Sequence, residues 1–273
     1  MTQNRYVDDV GSILSKAITS ESAFVVDPAS TTIPDVVSEL LEAERPPAVN
    51  LLAGKDEVKA ATTDFMAASH AADLVADGTL SIRVADDVGG PSLVVSEDIV
   101  VSLVRVPDRV AGLAATDAAF VTDANEHYAT RWAEAERFKL NTPPLSRVRE
   151  TLDSDLGTAV AEDFDVALAE LPAVRRDGDG LGEVTVSLLV AARHGLLLYD
   201  VSRWGEQVGL ASKATYSRTK GELEEAGLVT TEKVPVDVGR PRLRLRLATG
   251  RLRGADVPEL ARLARERTGA AEE

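Results

Sequence analysis

The chain of 273 residues contains no cysteine. That excludes a disulfide scaffold, a thiolate metal site and a cysteine nucleophile. Histidine is nearly absent too. His70, His127 and His194 lie far apart and show no metal-ligand spacing, so no metal and no cofactor is expected. The opening stretch MTQNRYVDD lacks the basic-then-apolar order of an export signal, which points to the cytoplasm. Long apolar runs are missing as well. The most apolar segment, Val184 to Tyr199, is broken by Arg193 and His194, and it falls short of the ~20 residues a membrane helix needs. No repeat and no low-complexity run interrupts the chain.

Lysine is scarce: 7 Lys stand beside 23 Arg. Acid is abundant, with 45 Asp+Glu against 30 Lys+Arg and a net charge of −15. Much acid, little Lys and abundant Ala and Val resemble the proteins of salt-loving archaea. A net charge of this sign argues at first against a polyanionic partner. At ~1 M salt, however, the Debye length is only about 3 Å, so local charge matters more than the total. Residues 1–180 carry 15 basic and 32 acidic residues, and residues 181–273 carry 15 and 13. Within 211–253 there are 10 basic and 5 acidic residues. The sign change along the chain points to a C-terminal part facing nucleic acid or another partner.

Two breaks divide the chain. One is the Asn141-Thr142-Pro143-Pro144 stop, and the other is the Gly- and Asp-rich run from Arg175 to Gly180. The length suits about two domains at ~100–200 residues each. We expect an α/β sensor or dimerisation domain over 1–141 and a helical linker over 142–180. A DNA-binding domain over 181–250 and a C-terminal helix and tail over 251–273 complete the expected layout.

The C-terminal pattern is the more specific. Val184 to Arg193 has helical spacing and stops at Gly195. Leu196 to Tyr199 suits a short strand, and Asp200 or Ser202 can cap a helix running through Val208. Gly209 provides a turn, and Ser212 caps a helix to Ala226 that Gly227 ends. On that helix Tyr216 and Leu223 share one face. Lys213, Ser217 and Arg218 fall on the opposite face, with Thr215 at its edge. Leu228 to Val236 and Arg242 to Leu247 alternate as a strand pair, with Arg242, Arg244 and Arg246 sharing the solvent face. Arg240-Pro241-Arg242 forms the tip between them. Each piece also has a plainer reading, as a solvated strand face or an ordinary helix cap.

Taken in order, residues 182–248 resemble the winged helix-turn-helix domains of archaeal and bacterial transcription regulators. The resemblance assigns DNA contacts to Ser212, Lys213, Thr215, Ser217, Arg218, Arg240, Arg242 and Arg244. Gly221 departs from it, costing ~1 kcal/mol relative to Ala, an expense that close packing against another helix would explain.

The N-terminal part alternates helices and strands and reads as α/β. Helices are expected at Val7–Ile18, Ile33–Ala43 and, in two pieces, Asp56–Ala76. Strands are expected at Ala23–Val26, Ala48–Ala53, Leu80–Val84, Ser92–Val95, Ile99–Val104 and Ala118–Val121, and a helix at Asn125–Leu140. This order resembles one half of the phospholipase D fold, which also supplies the sensor domain of TrmB-type sugar regulators. In the enzymes a His-x-Lys-x-x-x-x-Asp motif leads into the strand pair. Gly89, Pro91 and Ser96 stand at those places here, so the mechanism's nucleophile and acid are missing and no enzyme activity is expected. The expected fold is therefore an α/β domain with a mixed, phospholipase D-like sheet, followed by an α+β winged helix.

An effector site is expected near strand ends, from Arg83, Arg105 and Arg109 with Asn125 and His127. Arginines there suit a sugar phosphate, although pairing with surface acids explains them as well. Leu145–Leu152, Leu156–Leu171 and Val257–Arg267 read as helices, the first two joining the domains or forming a dimer seam.

As a whole the chain resembles the haloarchaeal TbsP family, which works alongside TrmB in control of sugar metabolism. That resemblance implies a homodimer on double-stranded promoter DNA, most simply a repressor gated by a sugar phosphate. A protein–protein adaptor and a degenerate phospholipase D-like enzyme are the alternatives. No membrane partner is expected.

Overall fold

A computed structural model describes residues 5–8, 10–18, 20–86, 90–106, 109–170, 182–235 and 241–269. The chain divides into two compact units, Met1–Leu140 and Asn141–Glu273.

Strong alternation of buried positions builds the first unit. It runs β1 (Arg5–Asp8), α1 (Val10–Ala17), β2 (Ser22–Val26), α2 (Ile33–Glu42), β3 (Ala48–Ala53), α3 (Lys55–Ala61), α4 (Phe65–Ala76) and β4 (Leu80–Val84). It continues with β5 (Leu93–Val95), β6 (Val100–Val106), β7 (Arg109–Ala115), α5 (Ala118–Glu134) and β8 (Glu136–Arg137). The eight strands form one sheet in the order β1-β7-β6-β5-β2-β3-β4-β8. Only β2, β3 and β4 are mutually parallel, because helical crossovers join them. Hairpins make β5–β6 and β6–β7 antiparallel, and β1–β7, β2–β5 and β4–β8 are antiparallel pairs between strands far apart in sequence. The sheet is mixed, as the alternation of elements leads one to expect.

One face of this sheet carries the main core. Ile13 and Leu14 of α1, Val36 and Leu40 of α2, Val58 of α3 and Leu74 of α4 pack there against Val25, Leu51, Ile82 and Val101. The other face carries α5. Val121, Tyr128 and Trp132 lie against Val26, Leu52, Val95 and Val100.

Several sequence expectations are corrected here. Val7 opens no helix; it pairs with Ala111 in β1, and the helix starts at Val10. Ala118–Val121 is not a strand but the first turn of α5. Asp117 caps it by accepting from the Phe120 N–H at 3.0 Å, and that cap outweighs the strand preference of two bulky residues. The helix ends at Glu134 rather than Leu140, and β8 follows. Strand β7, rich in Ala and Gly, lacks the β-branched signature that sequence patterning relies on.

The second unit runs α6 (Leu145–Leu156), α7 (Thr158–Ala169), α8 (Glu183–His194), α9 (Leu198–Val208), α10 (Lys213–Glu225), β9 (Val229–Val234), β10 (Arg242–Leu247), α11 (Gly250–Gly254) and α12 (Val257–Gly269). Helices α8 to α10 and the antiparallel β9–β10 pair make a winged helix. The expected strand at Leu196–Tyr199 shrinks to a single bridge between Leu197 and Arg244. Leu198 and Tyr199 instead begin α9, whose N-cap is Leu197, not Asp200 or Ser202. The apolar stripes of α6 and α7 are spent inside this unit. Phe164 meets Trp204 edge-on at 6.5 Å, and the indole N–H of Trp204 donates to Thr151 Oγ1 at 3.0 Å. Arg175–Gly180 lies outside the described residues.

Candidate nucleic-acid interface

The helix-turn-helix is set by one close approach. Tyr216, fully buried on α10, lies against Gly205 of α9, where a methyl group would overlap the phenol ring. The Gly205 carbonyl also accepts from the Leu210 N–H at 2.8 Å, closing α9 across the turn that Gly209 makes at φ +90°. Ser187 of α8 hydrogen-bonds the Tyr216 hydroxyl at 3.2 Å. Burial pushes that phenol well above its ordinary value, against the Ser187 hydrogen bond and with a smaller push from Glu183.

With Tyr216, Thr219 and Leu223 turned inward, the start of α10 is left facing outward. Ser212 caps the helix, accepting from the Thr215 N–H at 3.1 Å, with Thr215 Oγ1 2.9 Å away. Lys213, Ser217 and Arg218 are exposed as expected, and so is Ala214. Lys213 reaches back to Glu206 of α9 at 2.8 Å, and its hydrogen bond holds the Glu206 carboxyl below the usual carboxylate range. Arg218 lies 3.7 Å from Glu222 and is 73% exposed. Gly221 continues the same face, and a methyl there would touch nothing within 4 Å. The expected packing against another helix is not seen among the described residues.

The wing arginines separate in environment. Arg242 stacks on the Tyr199 ring at 4.1 Å and lies 3.7 Å from Asp200. Arg246 pairs with Glu232 at 3.5 Å and covers Gly195. Arg244 sits opposite Glu232 in the strand register. Arg240 lies outside the described residues. Two groups escaped the sequence reading: Tyr199, 43% exposed at the start of α9, and Arg203, 5.8 Å from its ring. An exposed aromatic one turn before an arginine was the available signal.

The expected effector residues do not converge. Arg83 of β4 donates to the carbonyls of Trp132, Ala133 and Ala135 at 2.6–3.3 Å, closing the C-terminus of α5. Arg105 of β6 is tied to Thr32 at 3.0 Å and to Asp35 at 3.6 Å. In the sheet order β6 and β4 stand four strand spacings apart, about 19 Å. Asn125 donates to the carbonyls of Ser96 and Val121 at 2.9 and 3.0 Å. His127 meets Tyr128 edge-on at 4.9 Å and lines a separate cleft with Arg131 and Glu134. Arg109 begins β7. Ser96 is buried and donates to the Ala17 carbonyl at 2.8 Å, a structural task. Among the described residues no group of acids and histidines could hold a metal ion. Nor is any described helix long and apolar enough to cross a membrane.

Comparison with known proteins adds family and context. No curated protein matches the chain. Among solved structures it is similar to TrmBL2, an archaeal chromatin protein described as showing a novel mode of DNA binding. The likeness has 15% identity and a TM-score of 0.35, and it covers 49% of this chain and 54% of that one. The chain thus spans about half of that protein's length. Residues 2–143 match the N-terminal family model of TbsP-like transcriptional regulators, and residues 144–265 match the C-terminal helix-turn-helix model of the same regulators. Since the two matches run almost end to end, with a winged helix under the second, the chain belongs to the TbsP-like transcriptional regulator family.

Proposed function

We propose that this DNA-binding regulator is a sequence-specific repressor. It binds double-stranded promoter DNA through residues 181–250 as a homodimer, matching a two-fold operator. One observation carries the reading: the outward face of α10 begins with Lys213, Ala214, Ser217 and Arg218, while its acids Glu222, Glu224 and Glu225 come later. A helix entering the major groove by its N-terminal end needs that order. In this reading Ser212, Lys213, Thr215, Ser217 and Arg218 meet the groove. Arg240, Arg242 and Arg244 meet the flanking backbone from the wing, with Tyr199 and Arg203 beside them. Regulation of sugar-metabolism genes in a salt-loving archaeon, with a phosphorylated effector on the N-terminal unit, rests on the family likeness and the acidic composition.

The test is a gel shift on promoter fragments recovered by genome-wide immunoprecipitation. Arg218→Ala is expected to cost about 1–3 kcal/mol if the guanidinium reads a base edge, and Lys213→Ala to lower the salt slope by about one. An absence of enriched sites would refute the DNA reading and favour the adaptor. Raised transcript levels in a deletion strain are the expected sign of repression.

A further inference from the structure

Arg83 and Arg137 face each other across β4 and β8. Like charges directly opposite in an antiparallel pair are destabilising unless something neutralises them. Arg83 has an answer in the carbonyls at the end of α5. The side chain of Arg137, which is exposed, has no hydrogen bond or ion pair with any described residue. Its guanidinium lines a cleft of about 310 Å³ together with Asn50, Ser81, Arg83, Trp132 and Phe138.

The floor of this cleft is polar. On the α5 face, Leu52 is buried and carries apolar packing, but Asn50 is only half-buried and Ser81 beside it is exposed. Strand β8 pairs with β4 only at Arg83 and Val84, and the Phe138 N–H adds a bond to Ile82 at 3.0 Å. Earlier along β4, Leu80 and Ser81 have no strand on that side among the described residues, so the cleft opens at the sheet edge. Asn50, Ser81, Arg137 and Trp132 therefore line one space, with Val75, Leu80 and Ile82 as its apolar part, at the small end of ligand-pocket sizes.

We propose that this cleft binds a small hydroxylated oxyanion. Arg137 takes the anionic group in a forked pair of hydrogen bonds, Asn50 and Ser81 take hydroxyls, and Trp132 flanks the carbon skeleton. A phosphate ester and a carboxylate share this chemistry, and the phosphate, with its larger charge, fits better beside two guanidinium groups. The proposal rests on the reading of the N-terminal unit as a sensor. It replaces the earlier group of Arg105, Arg109, Asn125 and His127, keeping only Arg83.

Calorimetric titration of the full chain with glucose 6-phosphate, gluconate, glucose and inorganic phosphate tests it. Saturable binding of glucose 6-phosphate, one per chain, is expected, with glucose far weaker. Arg137→Ala is expected to weaken it by about tenfold or more, the worth of one charged hydrogen bond. Tighter binding of gluconate would assign the same site to a carboxylate. Inorganic phosphate binding as well as the sugar phosphate would remove Asn50 and Ser81 from the site and overturn the proposal. So would an unchanged affinity in both Arg137→Ala and Asn50→Leu, or no heat from any probe. A gel shift on the same preparation separates the two readings: DNA bound with no probe bound sinks the cleft alone.

Discussion

Gly205 and Tyr216 show how much a single contact decides. The ring fills the space a side chain at 205 would occupy, so the approach of α9 to α10 is fixed by an absence of atoms. Gly205→Ala should destabilise the protein by about 1–3 kcal/mol through overpacking, read as a lower urea midpoint. In a Tyr216→Leu background the same change should cost far less, since the atoms it collides with are gone. The buried phenol also sets a pH limit. Its pKa is raised in the folded chain, so above about pH 10 the unfolded state releases this proton and the folded state keeps it. Stability should be flat in this respect below pH 10 and fall as pH rises beyond it. Tyr128 adds to the same trend, because burial, helped by Asp27 and opposed by Arg131, raises it too. Urea midpoints between pH 8 and 11 check the sign. None of this was legible in the sequence. Tyr216 was readable as a core residue from its spacing to Leu223, but nothing in the pattern names its partner eleven residues earlier.

Helix α10 was legible almost residue by residue, because its cap, its periodicity and its stop agree. Ser212 caps, Tyr216 and Leu223 are buried, and Gly227 follows the end. Segment Ala118–Val121 failed because Asp117 was not recognised as a cap. Gly221 now has a different meaning. With empty space beside it, Gly221→Ala should stabilise the helix by about 0.5–1 kcal/mol, measured by thermal unfolding. It lies four residues after Ser217 and seven after Ala214, on the face proposed to meet DNA. The same substitution should therefore weaken promoter binding while raising stability, and unchanged affinity would take this face off the groove.

At the scale of the molecule, the charge split was the most telling sequence feature and remains so. The first 180 residues hold 32 acids and 15 bases, whereas residues 211–253 hold 10 bases and 5 acids. What composition could not supply was convergence. Arg83, Arg105 and His127 read as one group along the chain, yet the strand order β6-β5-β2-β3-β4 keeps the two arginines apart. Arg242 likewise meets Tyr199 and Asp200, some forty positions earlier, through the strand bridge at Leu197.

The chain has two tryptophans, and the fold gives one to each compact unit. Trp204 is sealed in the second unit against Phe164, and Trp132 lies partly buried in the first, 5.0 Å from the Arg83 guanidinium. Their surroundings differ in polarity and water access, so their emission spectra are expected to separate. The protein thus carries a built-in optical reporter for each half. Replacing one indole with phenylalanine leaves the other to tell whether the halves melt together or in turn.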